Sequence, residues 1–204
     1  MTLSRTLWNH AVDIGREVVW LHTRGQRYSA PEAGRPDEPP RMPEGIRPRL
    51  NGVIAPAPTD IPETMSYDSE RQTIYIGHGK ISPISARVWS YNVSGMNVLG
   101  KWFSYRKLNP AGKRTSELDD TNSDIWLPDY STDLLDLLNV LCRLVALEPA
   151  QESLLESICS NPTVSVETLT SSGVLPAPRR RHRASRDRDR TDAAYSLFDE
   201  PESR

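Results

Sequence analysis

Nine prolines fall between positions 31 and 62 (Pro31, Pro36, Pro39, Pro40, Pro43, Pro48, Pro56, Pro58 and Pro62), and no other feature limits the fold as severely. Each lacks a backbone N–H and fixes φ at about −65°, which rules out a regular helix or a central strand there. The stretch Tyr28–Pro62 is therefore expected to be an extended insertion, flexible or draped over the surface. PxxP-like spacings at Pro36–Pro39 and Pro40–Pro43 match a polyproline ligand; a loop with no such partner is the simpler reading. With 37% hydrophobic and 25% charged residues, an ordered core of roughly 130 residues is expected, near the usual domain size.

Apolar periodicity on either side is helical or strand-like. Leu7, Ala11, Ile14, Val18 and Leu21 follow the 3.6-residue period, widened by Trp8, Val12 and Val19, and predict a helix over about 3–23 that stops at Gly25. Its acidic residues, Asp13 and Glu17, and the lack of a small-residue cleavage site argue against a secretory signal. Thr73–Gly77 alternates as a short strand, and Ser82-Pro83 resembles a helix-opening pair for a short helix through Ala86 and Val88. Trp89–Val93 alternates again before a turn at Gly95. Val98, Leu99, Trp102 and Phe103 then predict a helix from about Met96 to Lys107, closed by Asn109-Pro110-Ala111-Gly112. Ser131/Thr132 is read as the cap of an apolar helix through Leu147, and Pro149 as the opening of a second one up to Asn161-Pro162. Ser165–Ser172 has the makings of one more short helix. The tail beyond Pro176, with Arg179-Arg180-Arg181-His182-Arg183 and alternating Arg/Asp, is expected to be disordered. Cys142 and Cys159 are expected as buried free thiols in a reducing cytoplasm.

Charge is distributed very unevenly. Between Arg71 and Ser116 lie eight of the 25 Lys/Arg residues and none of the 27 Asp/Glu, although the whole chain is near neutral at −2. The same block holds Tyr75, Trp89, Tyr91, Trp102, Phe103 and Tyr105, so it reads as folded material and not as a basic tail. An ordered segment free of acids is what a polyanion-binding surface requires. Lys101 and Tyr105 lie one turn apart on the predicted 96–107 helix, with Arg106 and Lys107 at its end and Lys113, Arg114 and Thr115 shortly after. Such donors suit phosphate oxygens, and arginine can read guanine. His78 and Lys80, on a glycine-flexed loop, can approach a groove or backbone. Cations at a helix C-terminus are also favoured by the macrodipole without any ligand. Trp89 and Trp102 are expected in the core, and the interleaved aspartates leave the terminal arginines only weak non-specific affinity.

Catalytic constellations are missing from the sequence. No Gly-rich phosphate loop, zinc-type Cys/His set or nucleophile elbow occurs. His10 and His22 read as surface or packing residues, and Asp119-Asp120 as a solvated turn. Asn109-Pro110-Ala111-Gly112 resembles an amino-methyltransferase signature but lacks the aromatic that stacks on a flipped base. No catalytic or metal-binding residue is assigned.

The stretch Val88 to Lys107 resembles the "VW-x-Y-x-V-(S/G)-G-x-x-V-(L/I)-x-x-W-(F/L)-x-x-R" pattern in the C-terminal specificity (target-recognition) region of type ISP restriction–modification enzymes. Ile74 to Ile81 is similar to the strand and loop leading into it, and Ala11 to His22, "A-x-x-x-G-R-E-x-V-x-L-H", to the helix that begins that region. "TDLLDLLNVLCRLVALEPAQ", from Thr132, resembles the closing helices. The likeness covers about residues 5–160 and is dense from Ile74 to Arg106. It implies a DNA target-recognition module whose adenine methylation is performed by a separate catalytic domain binding S-adenosylmethionine. No cofactor is expected on this chain, and no enzyme activity from it alone.

The expected architecture is α+β: an N-terminal helix (1–27), a disordered Pro-rich insertion (28–65), a recognition core with a small sheet and a C-terminal helical group (66–173), and a disordered Arg-rich tail (174–204). The sheet is expected to include Thr73–Gly77 and Trp89–Val93. Expected partners are duplex DNA and a methyltransferase catalytic domain or subunit, with no membrane and a cytoplasmic location. On this reading Arg106→Ala and Arg114→Ala weaken DNA binding and flatten its salt dependence. The alternative is a protein-interaction module that docks an acidic partner or catalytic subunit without touching DNA.

Overall fold

The computed structural model describes residues 5–107, 125–162 and 164–175. Residues 2–161 form one compact unit, and the segment from Pro162 onward belongs to another. The larger unit is α+β, as expected. It opens with α1 (Arg5–His22) and continues through β1 (Arg49–Asn51), β2 (Met65–Asp68), β3 (Thr73–Ile76), β4 (Gly79–Ser82), α2 (Ala86–Trp89), β5 (Asn92–Val93), β6 (Met96–Asn97) and α3 (Val98–Ser104) to the long α4 (Pro128–Ser160). In the smaller unit α5 (Val166–Ser171) is capped by the Ser165 hydroxyl, which accepts from the Thr168 N–H. The Arg-rich tail lies outside the described residues.

The four-stranded antiparallel sheet has the order β1-β4-β3-β2. Leu50, Ile81, Ile74 and Tyr67 face one another across it and form its inner side. Ile74 and Ile81 are fully buried against Trp20 and Leu21 of α1 and Leu134, Leu138 and Leu141 of α4 in a single core. α4 is the spine, packed against both α1 and α2.

α1 ends where its last carbonyls are met by a left-handed turn. The Gly25 N–H donates to Trp20 O, and Gly25 has φ +90. A Cβ at Gly25 would collide with Glu38 O, so glycine is required there by close approach as well as by φ.

The expectation of a disordered Pro-rich insertion is corrected by the structure. Proline carbonyls still accept hydrogen bonds, and donors from the core reach them: Trp20 Nε1 donates to Pro36 O at 3.1 Å, and the Trp126 N–H to Pro58 O at 2.7 Å. The buried Asn139 amide on α4 accepts from the Met42 N–H and donates to Leu135 O, both at 2.8 Å. Pro40 and Ile54 are buried outright. The stretch also supplies β1, at an edge of the sheet where proline neighbours are tolerated.

Four local expectations also change. Ser82-Pro83 ends β4 and caps no helix; the N-cap of α2 is Ser85, whose hydroxyl accepts from the Val88 N–H. Of Trp89–Val93 only Asn92–Val93 is strand, and it pairs with β6 in a separate hairpin. The two helices expected on either side of Pro149 are one, starting at Pro128, a turn before Ser131/Thr132. Pro149 forgoes a single N–H bond, and burial of Leu144 and Leu154 on either side offsets that loss. Finally, Cys142 is buried but Cys159 is exposed.

Candidate nucleic-acid interface

α3 begins at Asn97, whose side-chain oxygen accepts from the Gly100 N–H while its amide nitrogen donates to Trp89 O at 2.8 Å. Capping and anchoring by one residue fixes the start of α3 against the end of α2. Leu99 and Phe103 are buried, so Lys101 and Tyr105 are turned outward. The Lys101 ammonium lies 4.6 Å from the centroid of the Tyr105 ring, which is 58% exposed. Lys107 follows the helix, exposed, with no carboxylate partner among the described residues. Lys113, Arg114 and Thr115, like the Asn109–Gly112 turn, lie outside the described residues.

Arg106 is placed differently. Its guanidinium packs 4.3 Å from the Trp102 ring and 5.3 Å from the Tyr130 ring, and donates to Trp102 O at 3.0 Å. It also pairs with Asp133 of α4 at 3.1 Å, and its Nε is buried without a hydrogen-bond partner. Asp133 further accepts from Trp102 Nε1 at 2.7 Å and from Arg24, just beyond α1. Burial pushes the Asp133 carboxyl up, but hydrogen bonds from Trp102 and Arg24 and the charges of Arg24 and Arg106 outweigh it and hold the group below the usual carboxylate range. Arg106 therefore ties α3 to α4, a role that its sequence position did not reveal. Spacing gives no sign of this cluster, since Arg24 and Asp133 are 109 residues apart.

The same division runs through the acid-free block. Arg71 pairs with Asp68 at 3.8 Å, and Arg87 pairs with Glu148. Both carboxylates come from outside the block, as does Asp133. Lys80, Lys101 and Lys107 keep no carboxylate partner among the described residues. The block is free of acids in sequence, but among the described residues only its lysines are free of them in space.

His78 and Lys80 sit at the β3–β4 hairpin, both exposed. The hairpin is pinned and not glycine-flexed: the His78 N–H donates to Ile54 O at 2.9 Å, and a Cβ on Gly77 would collide with that same oxygen. No hydrogen bond, ion pair or ring contact joins this hairpin to the α3 cations among the described residues. Among the described residues no cluster of three or more His, Cys, Asp or Glu has the makings of a metal site, and no helix is long and apolar enough to cross a membrane.

The described cations of the block that lack carboxylate partners thus lie on α3, just after it and at the pinned β3–β4 hairpin. The family model for the type ISP C-terminal specificity domain matches residues 1–137, and the chain belongs to that family. The matched span takes in α1, both sheets, α3 and the start of α4. No curated protein and no solved structure matches the chain.

Proposed function

We propose that this chain is the DNA target-recognition module of a type ISP-like restriction–modification methyltransferase. It binds duplex DNA and directs adenine methylation by a catalytic domain, carrying S-adenosylmethionine, that is not in this chain. Membership of a specificity-domain family carries this reading. The lysines of α3 left without carboxylates, Lys101 and Lys107, are the phosphate contacts it calls for, with Lys80, Tyr105, His78 and the loop residues Lys113, Arg114 and Thr115 as further contacts. Arg106 acts by holding α3 in place, and its pairing with Asp133 leaves it little freedom to reach DNA.

Titration of the full chain with random-sequence duplex at two salt concentrations tests this. Binding is expected to weaken steeply with salt, and Lys101→Ala/Lys107→Ala to reduce the log–log slope by about 1 for each phosphate that is no longer neutralised. Affinity that does not respond to salt would overturn the DNA reading and favour docking to an acidic protein partner.

A further inference from the structure

The outer face of the four-stranded sheet carries one row of side chains fixed by register: Asn51 on β1 opposite Lys80 on β4, Lys80 opposite Tyr75 on β3, and Tyr75 opposite Ser66 on β2. Asn51, Lys80 and Ser66 are exposed and Tyr75 half-buried. At the spacing of neighbouring strands the row spans roughly 14 Å.

A solvated face of an antiparallel sheet is polar in most proteins. This one differs in what its polar groups are doing. The amides of Asn92, Asn97, Asn139 and Asn161 are all engaged with backbone. No such bond holds Asn51, Ser66 or the Lys80 ammonium among the described residues, and the Tyr75 hydroxyl meets Arg71. The single carboxylate that register places on this face, Asp68, lies at the far edge. It is occupied by the Glu70 and Arg71 N–H groups at 3.0 Å and by the Arg71 side chain. The backbone beneath the row is held rigidly where β3 turns into β4 on Ile54.

We infer that this row reads base edges in the major groove of the target DNA, an inference that rests on the proposed DNA-binding function. Exposed donors and acceptors held in register are what direct readout of base edges in the major groove requires. Lys80 is matched to guanine acceptors and Asn51 to the donor and acceptor of adenine, while the Tyr75 hydroxyl pairs with either. Lys80, without a carboxylate partner among the described residues, supplies the positive charge that draws the face to the duplex. The edge strand that brings Asn51 into the row comes from the Pro-rich stretch, so that stretch serves to place a reading residue.

The test is selection from a randomised duplex library by the full chain, compared with Asn51→Ala and Tyr75→Phe, two exposed-face substitutions that leave the core untouched. The wild type is expected to enrich a defined motif. Each variant should lose discrimination at one position by roughly 10-fold, with affinity for random duplex within about 2-fold. Hydrogen exchange should show β3 and β4 protected by the selected duplex. An unchanged motif in both variants, or protection confined to α3, overturns the inference while leaving DNA binding intact. So does binding by the wild type without enrichment. Absence of any salt-dependent binding removes the DNA reading itself.

Discussion

The Asp133 cluster and the outer sheet face are made of similar residues, cations beside aromatic and polar groups, yet they are put to opposite uses. At Asp133, Arg24, Arg106 and Trp102 converge on one half-buried carboxylate, and their hydrogen bonds to it tie the end of α1, α3 and α4 together. On the sheet, Lys80, Asn51 and Ser66 are directed to solvent by strand alternation and bond to nothing among the described residues. The first arrangement yields stability, the second an available surface. Basic residues in a sequence therefore say little about ligand contact until their carboxylate partners are known.

The contrast can be broken most directly at Asp133. Asp133→Ala leaves two arginines and an indole N–H without their acceptor, and unfolding in urea should show a loss of about 2–3 kcal/mol. A loss below half of that would mean that the cluster is as dispensable as the sheet face.

Acid titration sharpens the same point with a smaller effect. The Asp133 carboxyl is lowered in the folded protein from its ordinary value of 3.8. Its contribution is therefore complete above about pH 4 and fades as pH falls through the lowered value. Asp133→Asn should remove this part of the acid sensitivity. If wild type and variant lose stability in parallel below pH 4, the linkage is absent.

Lys80→Ala should change stability least, by less than about 0.5 kcal/mol, while weakening duplex binding. A larger loss of stability would assign Lys80 to the fold and erase the difference between the two regions.

Much of the local structure was legible in the sequence. The 3.6-residue pattern in α1 and the Val98–Phe103 pattern in α3 are dictated by which side chains must leave water, and both helices formed with Leu21, Leu99 and Phe103 buried. The prolines limited residues 28–62 to an edge strand and irregular chain. Illegible was what that chain would touch: missing N–H groups point to disorder, whereas the carbonyls were free to accept from Trp20 and Trp126. Pro149 misled for a related reason, because a local breaking tendency of one residue yielded to burial on both sides. At the site, the position of Arg106 was readable and its role was not.

The sequence by itself determined α1, α3 and the strand at Thr73–Ile76, the restriction on the Pro-rich stretch and the Val88–Lys107 pattern that resembles the family to which the chain belongs. These follow from φ limits and apolar periodicity, which act over a few neighbouring residues. Tertiary structure alone decided which cations remain available and which side chains share the sheet's outer row. Arg106 meets Asp133 across 27 residues, Arg87 meets Glu148 across 61, and Arg24 meets Asp133 across 109. Ion pairing depends on distance in space, and strand register on how distant segments align. Neither is written in the spacing of residues along the chain.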